Sequence, residues 1–168
     1  MIHMKGSAKT ATSTARVEEA PSTLYRSGRG TFVQSCVLGD EAGRGLATVG
    51  IIGALKAGLP FRELEDLRDL LDLPMDRLAA HLGISRATLH RRKTSGRLDA
   101  GESDRVLRFG RLLGLGLSVM ESLDLARRWL ASPQVGLGGE TPLVYAETEV
   151  GAREVEDLLG RIEFGVYA

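Results

Sequence analysis

Residues 78–93 read LAAHLGISRATLHRRK, and the spacing within this stretch indicates how the middle of the chain folds. Gly83 can adopt a positive φ without a Cβ clash, and Ser85 is a favoured N-cap for a helix that follows it. Ala79 is small enough to let two short helices approach closely. The stretch therefore predicts two helices joined by a tight turn, a geometry that projects the second helix into a DNA major groove. Apolar residues suited to the core of this pair are Leu78, Leu82, Ile84 and Leu89.

The second predicted helix is basic on its outer face. Residues 85–97 contain five Arg or Lys residues and no acidic residue. Such a local patch can bind phosphates although the formal net charge of the whole chain is zero. Arg86 can bond a guanine bidentately, and Arg92, Lys93 and Arg97 suit phosphate contacts. The predicted DNA-binding residues are Ser85, Arg86, Ala87, Thr88, Arg91, Arg92, Lys93 and Arg97.

A second interpretation of the same stretch stays open, namely a generic helical hairpin with a solvated basic face. Arg92 stands where a helix-turn-helix usually places another apolar residue. We therefore expect the second helix either to end early or to lean outward from its core.

Length and composition limit the possible classes of protein. The 168 residues suffice for one domain of usual size or two small ones. Hydrophobic residues make up 43% of the chain and aromatic residues only 5%, so aliphatic side chains must fill the core. No apolar run reaches the ~18 residues of a membrane span, and no secretory signal is visible. Cys36 is the only cysteine, which fits a reducing compartment, so we expect a cytoplasmic protein without membrane contact.

Upstream of the decisive stretch, helical periodicity begins near Arg44. Gly58 ends the first of these helices, and a second one spans about residues 61–71. Residues 1–40 are rich in Ala, Ser, Thr and Gly without a sustained period, which predicts a flexible or disordered segment. Within it, TFVQSCVL at residues 31–38 suggests a short extended piece.

Downstream of the decisive stretch, three further helices are indicated. One begins near Ala100, and Ser118 with Glu121 predicts a capping box for another that runs to Leu130. Thr148 is the expected cap of the last helix. No region shows sustained strand alternation, so the predicted fold class is all-α.

No combination of residues points to catalysis. The run GLGG at residues 136–139 lacks the preceding strand and the Lys-Ser/Thr of a phosphate-binding loop. Acidic residues near Thr148 most simply complement the dipole of a helix start. The three histidines have no metal-ligand spacing. We therefore expect no catalytic residue, no metal site and no cofactor.

The C-terminal residues 126–168 read ARRWLASPQVGLGGETPLVYAETEVGAREVEDLLGRIEFGVYA. This run resembles the toxin-binding domain of the Xre/MbcA/ParS antitoxins, whose pattern is roughly RRWL-x-x-P-x-x-x-LGG-x-x-PL, then TE-x-G-x-x-x-V-x-x-LL-x-RIE-x-GV. Upstream, GISRATLHRRKTSGRLDAGESDRVLR resembles the helix-turn-helix of the same family. The resemblance covers about residues 44–168, and its two spaced motifs agree in order.

The resemblance implies a type II antitoxin rather than an enzyme. It implies an Xre-like helix-turn-helix domain at 41–115 and a small helical toxin-binding domain at 116–168, and these follow the segment at 1–40 that composition predicts to be flexible. The implied protein partner is a RES-domain toxin that consumes NAD or transfers from it, and whose NAD-binding cleft the antitoxin covers. The other implied partners are operator DNA and a second copy of the chain, forming a homodimer within a hetero-oligomeric complex.

The toxin-binding residues implied by the resemblance lie in the LGG loop and at the end of the chain. For Leu137, as for Trp129 and Ile162, plain core packing is the favoured explanation over a toxin contact. A stand-alone transcriptional regulator whose C-terminal module only dimerises remains the alternative function. The implied toxin contacts are Leu137, Gly138, Gly139, Pro142, Arg161, Glu163 and Tyr167.

Overall fold

The computed structural model describes residues 31–38 and 48–165, and the regular elements in these ranges are helices. This confirms the all-α class. None of the described helices is both long and apolar enough to cross a membrane. In chain order they are α1 Phe32–Leu38, α2 Thr48–Ala57, α3 Phe61–Leu71, α4 Met75–His81, α5 Arg86–Ser95, α6 Ala100–Met120, α7 Leu123–Leu130, a 3₁₀ turn Val135–Leu137, α8 Pro142–Tyr145 and α9 Glu149–Glu163.

Helix α6 lies at the centre of the fold. It packs against α1, α2, α3, α7 and α9, so it touches both the predicted DNA-binding part and the C-terminal part. Its apolar residues recur at helical spacing, which places them on one side of the helix. This apolar side of α6 packs together with side chains from other elements, from α1 to α9, into one contiguous core. Its innermost members, at most 2% exposed, are Val106, Phe109, Leu112 and Leu113.

Helix α1 corrects two predictions for residues 31–38. The segment is helical rather than extended, and it is not loosely attached, because Val33 and Val37 are buried in the core. The carboxylate of Glu63, itself fully buried, accepts hydrogen bonds from the backbone N–H groups of Phe32 and Val33, both at 2.9 Å. A short apolar run cannot be assigned from periodicity alone, and here tertiary packing decided in favour of a helix. The remainder of residues 1–40 lies outside the described ranges.

The helix-turn-helix geometry predicted from residues 78–93 is confirmed. Helix α4 ends before Gly83, which has a φ of +63°, and the N–H of Ile84 donates to the carbonyl of Ala79 at 2.8 Å. The Ser85 hydroxyl then caps α5 by accepting a hydrogen bond from the N–H of Thr88 at 3.2 Å. The turn is thus closed by backbone bonds on one side and by a side-chain cap on the other.

Helix α5 is held to the core less tightly than its sequence predicted. It contains no fully buried residue, and Leu89, expected in the core, is half-buried against it. The helix nevertheless continues to Ser95 rather than ending early. Backbone hydrogen bonds fix its far end: Phe61 N–H donates to Gly96, and Leu98 N–H donates to Leu59, both at 2.8 Å.

The boundary between α6 and α7 differs from the prediction. Ser118 lies inside α6, and the capping box predicted for it with Glu121 does not form. Helix α6 ends instead at Met120, the next residue Glu121 is in the left-handed region at φ +54°, and Ser122 caps α7. The capping box that does exist joins Asp99 and Glu102 at the start of α6. The apolar face of α6 runs past residue 113, and its packing overrides the local capping signal.

Side-chain contacts connect the C-terminal part of the chain to the part that carries the helix-turn-helix. His81 Nδ1, at the end of α4, lies 2.9 Å from a carboxylate oxygen of Glu147, just before α9. Arg111 of α6 pairs with Glu156 of α9 at 2.6 Å. On the other side, Arg127 of α7 donates to the carbonyl of Leu70, at the end of α3, at 2.6 Å. The C-terminal part is therefore attached directly to the helices that carry the helix-turn-helix.

Candidate DNA-binding and toxin-binding surfaces

The outer side of α5 carries most of the residues predicted to contact DNA. Thr88 is half-buried, and its hydroxyl lies 3.0 Å from that of Ser85. Within the described residues, Arg91 and Lys93 form no ion pair, so their charges face solvent. The six exposed members of the predicted set are Ser85, Arg86, Ala87, Arg91, Lys93 and Arg97.

Arg86 is held only weakly by its neighbours. Its guanidinium lies 3.4 Å from a carboxylate oxygen of Asp76, and the two side chains are 87% and 65% exposed. An ion pair this exposed is screened by water and contributes little to stability. Arg86 can therefore exchange Asp76 for a base edge or a phosphate at low cost.

Arg92 is half-buried and bonds two carboxylates, whereas the other Arg and Lys side chains of α5 are exposed. Its guanidinium bonds Glu102 and Asp99, each at 2.7 Å, and its side chain is only 22% exposed. The hydrogen bond to Glu102 is the main cause that raises the pKa of Arg92, with the nearby charges of Glu102 and Asp99 adding to it. This explains why a charged residue replaces the apolar one usual at this position: it ties α5 to the capping box of α6.

Arg97 is also partly committed within the protein. One of its guanidinium nitrogens donates to the carbonyl of Gly58 at 2.7 Å, which helps to join the end of α5 to the start of α3. Contacts from Arg92 or Arg97 to DNA would compete with these internal bonds. The structure therefore favours Arg86, Arg91 and Lys93 as the side chains available to a nucleic acid.

The loop after α7 contains most of the toxin-binding residues implied by the sequence. Gly138 and Gly139 are exposed and have φ values of +66° and +88°, a region that residues with a side chain rarely adopt. Leu137 is 2% exposed and Pro142 is also buried. The side chains of Leu137 and Pro142 therefore shape the loop from inside rather than offering a contact surface.

The predicted residues at the end of the chain are only partly described. Arg161 is half-buried and Glu163 is exposed, one near and one at the end of α9. Tyr167 lies outside the described residues. Because Arg161 is only half-buried, part of its side chain remains accessible to a partner.

Exposed apolar side chains of the C-terminal part were not found from the sequence. Val135 is 98% exposed, Phe164 79% and Val150 74%. Helical periodicity assigns apolar residues to the core by default, so it gave no signal for Val135 at the start of a 3₁₀ turn or for Phe164 after the last helix. Among the described residues, no cluster of His, Cys, Asp and Glu side chains is arranged to hold a metal ion.

Two family models match the chain in the order expected from its architecture. The antitoxin Xre-like helix-turn-helix domain matches residues 50–111, and the antitoxin Xre/MbcA/ParS C-terminal toxin-binding domain matches residues 116–165. The class of protein is thereby defined as an antitoxin with a helix-turn-helix and a toxin-binding domain, and not an enzyme. Helix α1 lies outside both matches.

Curated relatives agree with this class over most of the chain. A protein named Antitoxin Xre from Yersinia enterocolitica is 32% identical over 133 residues, 78% of this chain and 88% of that protein. Another protein of the same name, from Photorhabdus laumondii, is 32% identical over 114 residues, 67% of this chain and 77% of the relative. The chain belongs to the Xre family of antitoxins.

Proposed function

We propose that the chain neutralises a RES-domain toxin that consumes NAD, and that it does so sterically by covering the NAD-binding cleft of the toxin. The observation that carries this proposal is the match of residues 116–165 to a toxin-binding domain. The resemblance of the C-terminal motifs to antitoxins of RES toxins supports the identity of the partner. The end of α9, with Arg161, Glu163 and the adjacent Tyr167, is the part proposed to lie nearest the cleft.

We also propose that the chain represses its own operon through α5, as a homodimer within a complex with the toxin in the cytoplasm. The support is the confirmed helix-turn-helix geometry together with the match of residues 50–111. Residues 116–165 hold nine acidic and four basic residues, a net charge of −5, so this domain repels DNA. DNA contact would then be confined to the basic residues of α5.

The toxin proposal is tested by co-expressing the product of the neighbouring gene with variants of this chain and measuring cellular NAD. Removal of residues 161–168 should abolish protection of NAD, because nothing would then cover the cleft. Among the described residues, the last fully buried core residue is Leu159, which the truncation keeps, so the fold and DNA binding should persist. The paired substitution Arg161→Ala with Tyr167→Ala spares the apolar side of α9. We expect it to keep toxin binding while lowering NAD protection.

The toxin proposal fails if the truncated chain still preserves NAD and growth. A folded chain that never forms a complex with the neighbouring gene product would instead favour a stand-alone regulator. Circular dichroism of each variant shows whether its helices have formed before either conclusion is drawn.

The DNA proposal is tested by footprinting and binding titrations on the DNA upstream of the gene. Arg86→Ala should weaken binding by ~1–3 kcal/mol and relax sequence preference if Arg86 reads a base bidentately. Lys93→Ala should weaken binding to all DNA about equally and make the salt dependence shallower. Arg62→Ala, on the exposed part of α3, is a matched control that should leave both properties unchanged. Absence of a protected site would contradict the proposal.

A further inference from the structure

Gln134 makes five of the hydrogen bonds that hold the loop between α7 and α8. Its backbone N–H donates to the carbonyl of Glu140 at 3.0 Å, and its own carbonyl accepts from the N–H groups of Leu137 and Gly139, both at 3.0 Å. Its side-chain amide donates to the carbonyls of Trp129 at 3.1 Å and Ser132 at 3.0 Å. One residue therefore joins both ends of the loop to the last turn of α7, which gives the loop a fixed shape.

This fixed loop holds one apolar side chain fully in solvent. Val135, next to Gln134, is 98% exposed, whereas Leu137 two residues later is 2% exposed and anchors the loop in the core. Gly136 lies directly against the Leu158 side chain of α9, where an added Cβ would approach the Leu158 methyl to 3.0 Å. Single exposed apolar side chains are common on protein surfaces, and the distinguishing feature of Val135 is the fixed loop that holds it in solvent.

We propose that Val135 is an apolar anchor that inserts into a recess on the toxin, and that Gln134 is the positioning residue that keeps Val135 exposed before the toxin binds. This inference rests on the proposed function, since the occupant is the toxin. The loop lies within the matched toxin-binding domain and continues into the exposed Gly138–Gly139 surface. Because the loop already has a fixed shape, it loses little conformational entropy when the toxin binds. The burial of one side chain can therefore contribute to affinity. Interface energy concentrates in such anchors.

The charge around the loop defines the chemistry of the recess. Glu140 is exposed at the end of the loop, and the domain as a whole carries a net charge of −5. Charge complementarity therefore predicts an apolar recess with a basic rim on the partner. Binding of the toxin should accordingly slow with rising salt, while the contribution of Val135 should remain.

The experiment measures displacement of labelled wild-type chain from its complex with the neighbouring gene product by unlabelled variants. Val135→Ser should weaken binding about 10-fold or more, the value expected when a valine loses most of its burial on association. Val150→Ser removes a comparably exposed valine outside the loop and should change affinity by less than about twofold. Both changes are at exposed positions, so the melting temperature should stay the same.

The role of Gln134 is tested by a double-mutant cycle. Gln134→Ala should weaken binding, and adding Val135→Ser to it should cost less than Val135→Ser costs alone, because the anchor is already misplaced. A Gln134 that only stabilised the fold would give additive losses. Strict additivity would therefore remove the positioning role.

The outcomes separate this inference from the proposed function. If the wild-type chain does not bind the neighbouring gene product, the proposed function fails. If the wild-type chain binds and Val135→Ser binds equally well, the anchor is refuted and the proposed function stands. An equal loss for Val150→Ser would also refute it, since the effect would not belong to the loop.

Discussion

At the scale of single residues, two carboxylates, those of Glu63 and Asp99, bind the first N–H groups of helices. Glu63 is fully buried, and both its oxygens accept hydrogen bonds from the first N–H groups of α1. Charge-assisted bonds and the positive end of a helix make a buried carboxylate acceptable. Asp99 caps α6 by accepting from the N–H of Glu102 at 2.7 Å and also pairs with Arg92.

The first prediction concerns Glu63. Glu63→Gln places an amide NH₂ opposite a backbone donor, so one hydrogen bond is lost where water cannot replace it. We expect a loss of about 1–3 kcal/mol in the free energy of unfolding, measured by urea titration. Glu65→Gln on the same helix is the control, and it should cost less than about 0.5 kcal/mol because that side chain is only half-buried. Equal effects of the two substitutions would contradict the capping role.

The second prediction concerns pH. The hydrogen bond from the backbone of Glu102 is the main cause that lowers the pKa of Asp99, and Arg92 and Arg105 add to it. A carboxyl with a lowered folded-state pKa stabilises the fold above its unfolded pKa of about 3.9 and loses that contribution as the pH falls through the folded-state value. Asp99→Asn should therefore reduce the fall in melting temperature between about pH 5 and pH 2. An unchanged pH profile would show that Asp99 titrates alike in both states.

At the scale of elements, the first helix of the helix-turn-helix, α4, packs into the core, whereas the second helix, α5, is mostly exposed. Leu78 of α4 is 0% exposed, whereas Leu89 of α5 is half-buried. Leu78→Ala should cost about 2–5 kcal/mol, as large-to-small core changes do, and Leu89→Ala should cost clearly less. Thermal unfolding of both variants measures the difference. A larger loss for Leu89→Ala would mean that α5 packs more deeply than the structure places it.

At the scale of the whole molecule, the two matched domains share one core. Helix α6 starts in the first domain match and ends in the second, and its buried side runs from Val106 to Leu113 and on to α7. We therefore predict a single cooperative unfolding transition, with calorimetric and van't Hoff enthalpies equal within error. Leu159→Ala in α9 should lower the melting temperature of that one transition. Two separated transitions would show that the domains are energetically independent.

The sequence by itself determined the features that arise from neighbouring residues. These include the helical class, the turn at Gly83, the cap at Ser85, the cap at Thr148 and the order of the two family motifs. Each depends on residues within a few positions of one another, so backbone preferences and side-chain caps decide it locally.

Only the tertiary structure decided the features that depend on distant partners. Residues 32–38 form a helix because they pack against α6 and because Glu63 accepts hydrogen bonds from their first N–H groups. Arg92 is half-buried because it bonds Glu102 and Asp99. The exposure of Val135 likewise follows from where Gln134 and Leu158 hold its loop. Each of these features depends on how separate helices and loops pack together, and no local pattern of the sequence encodes that packing.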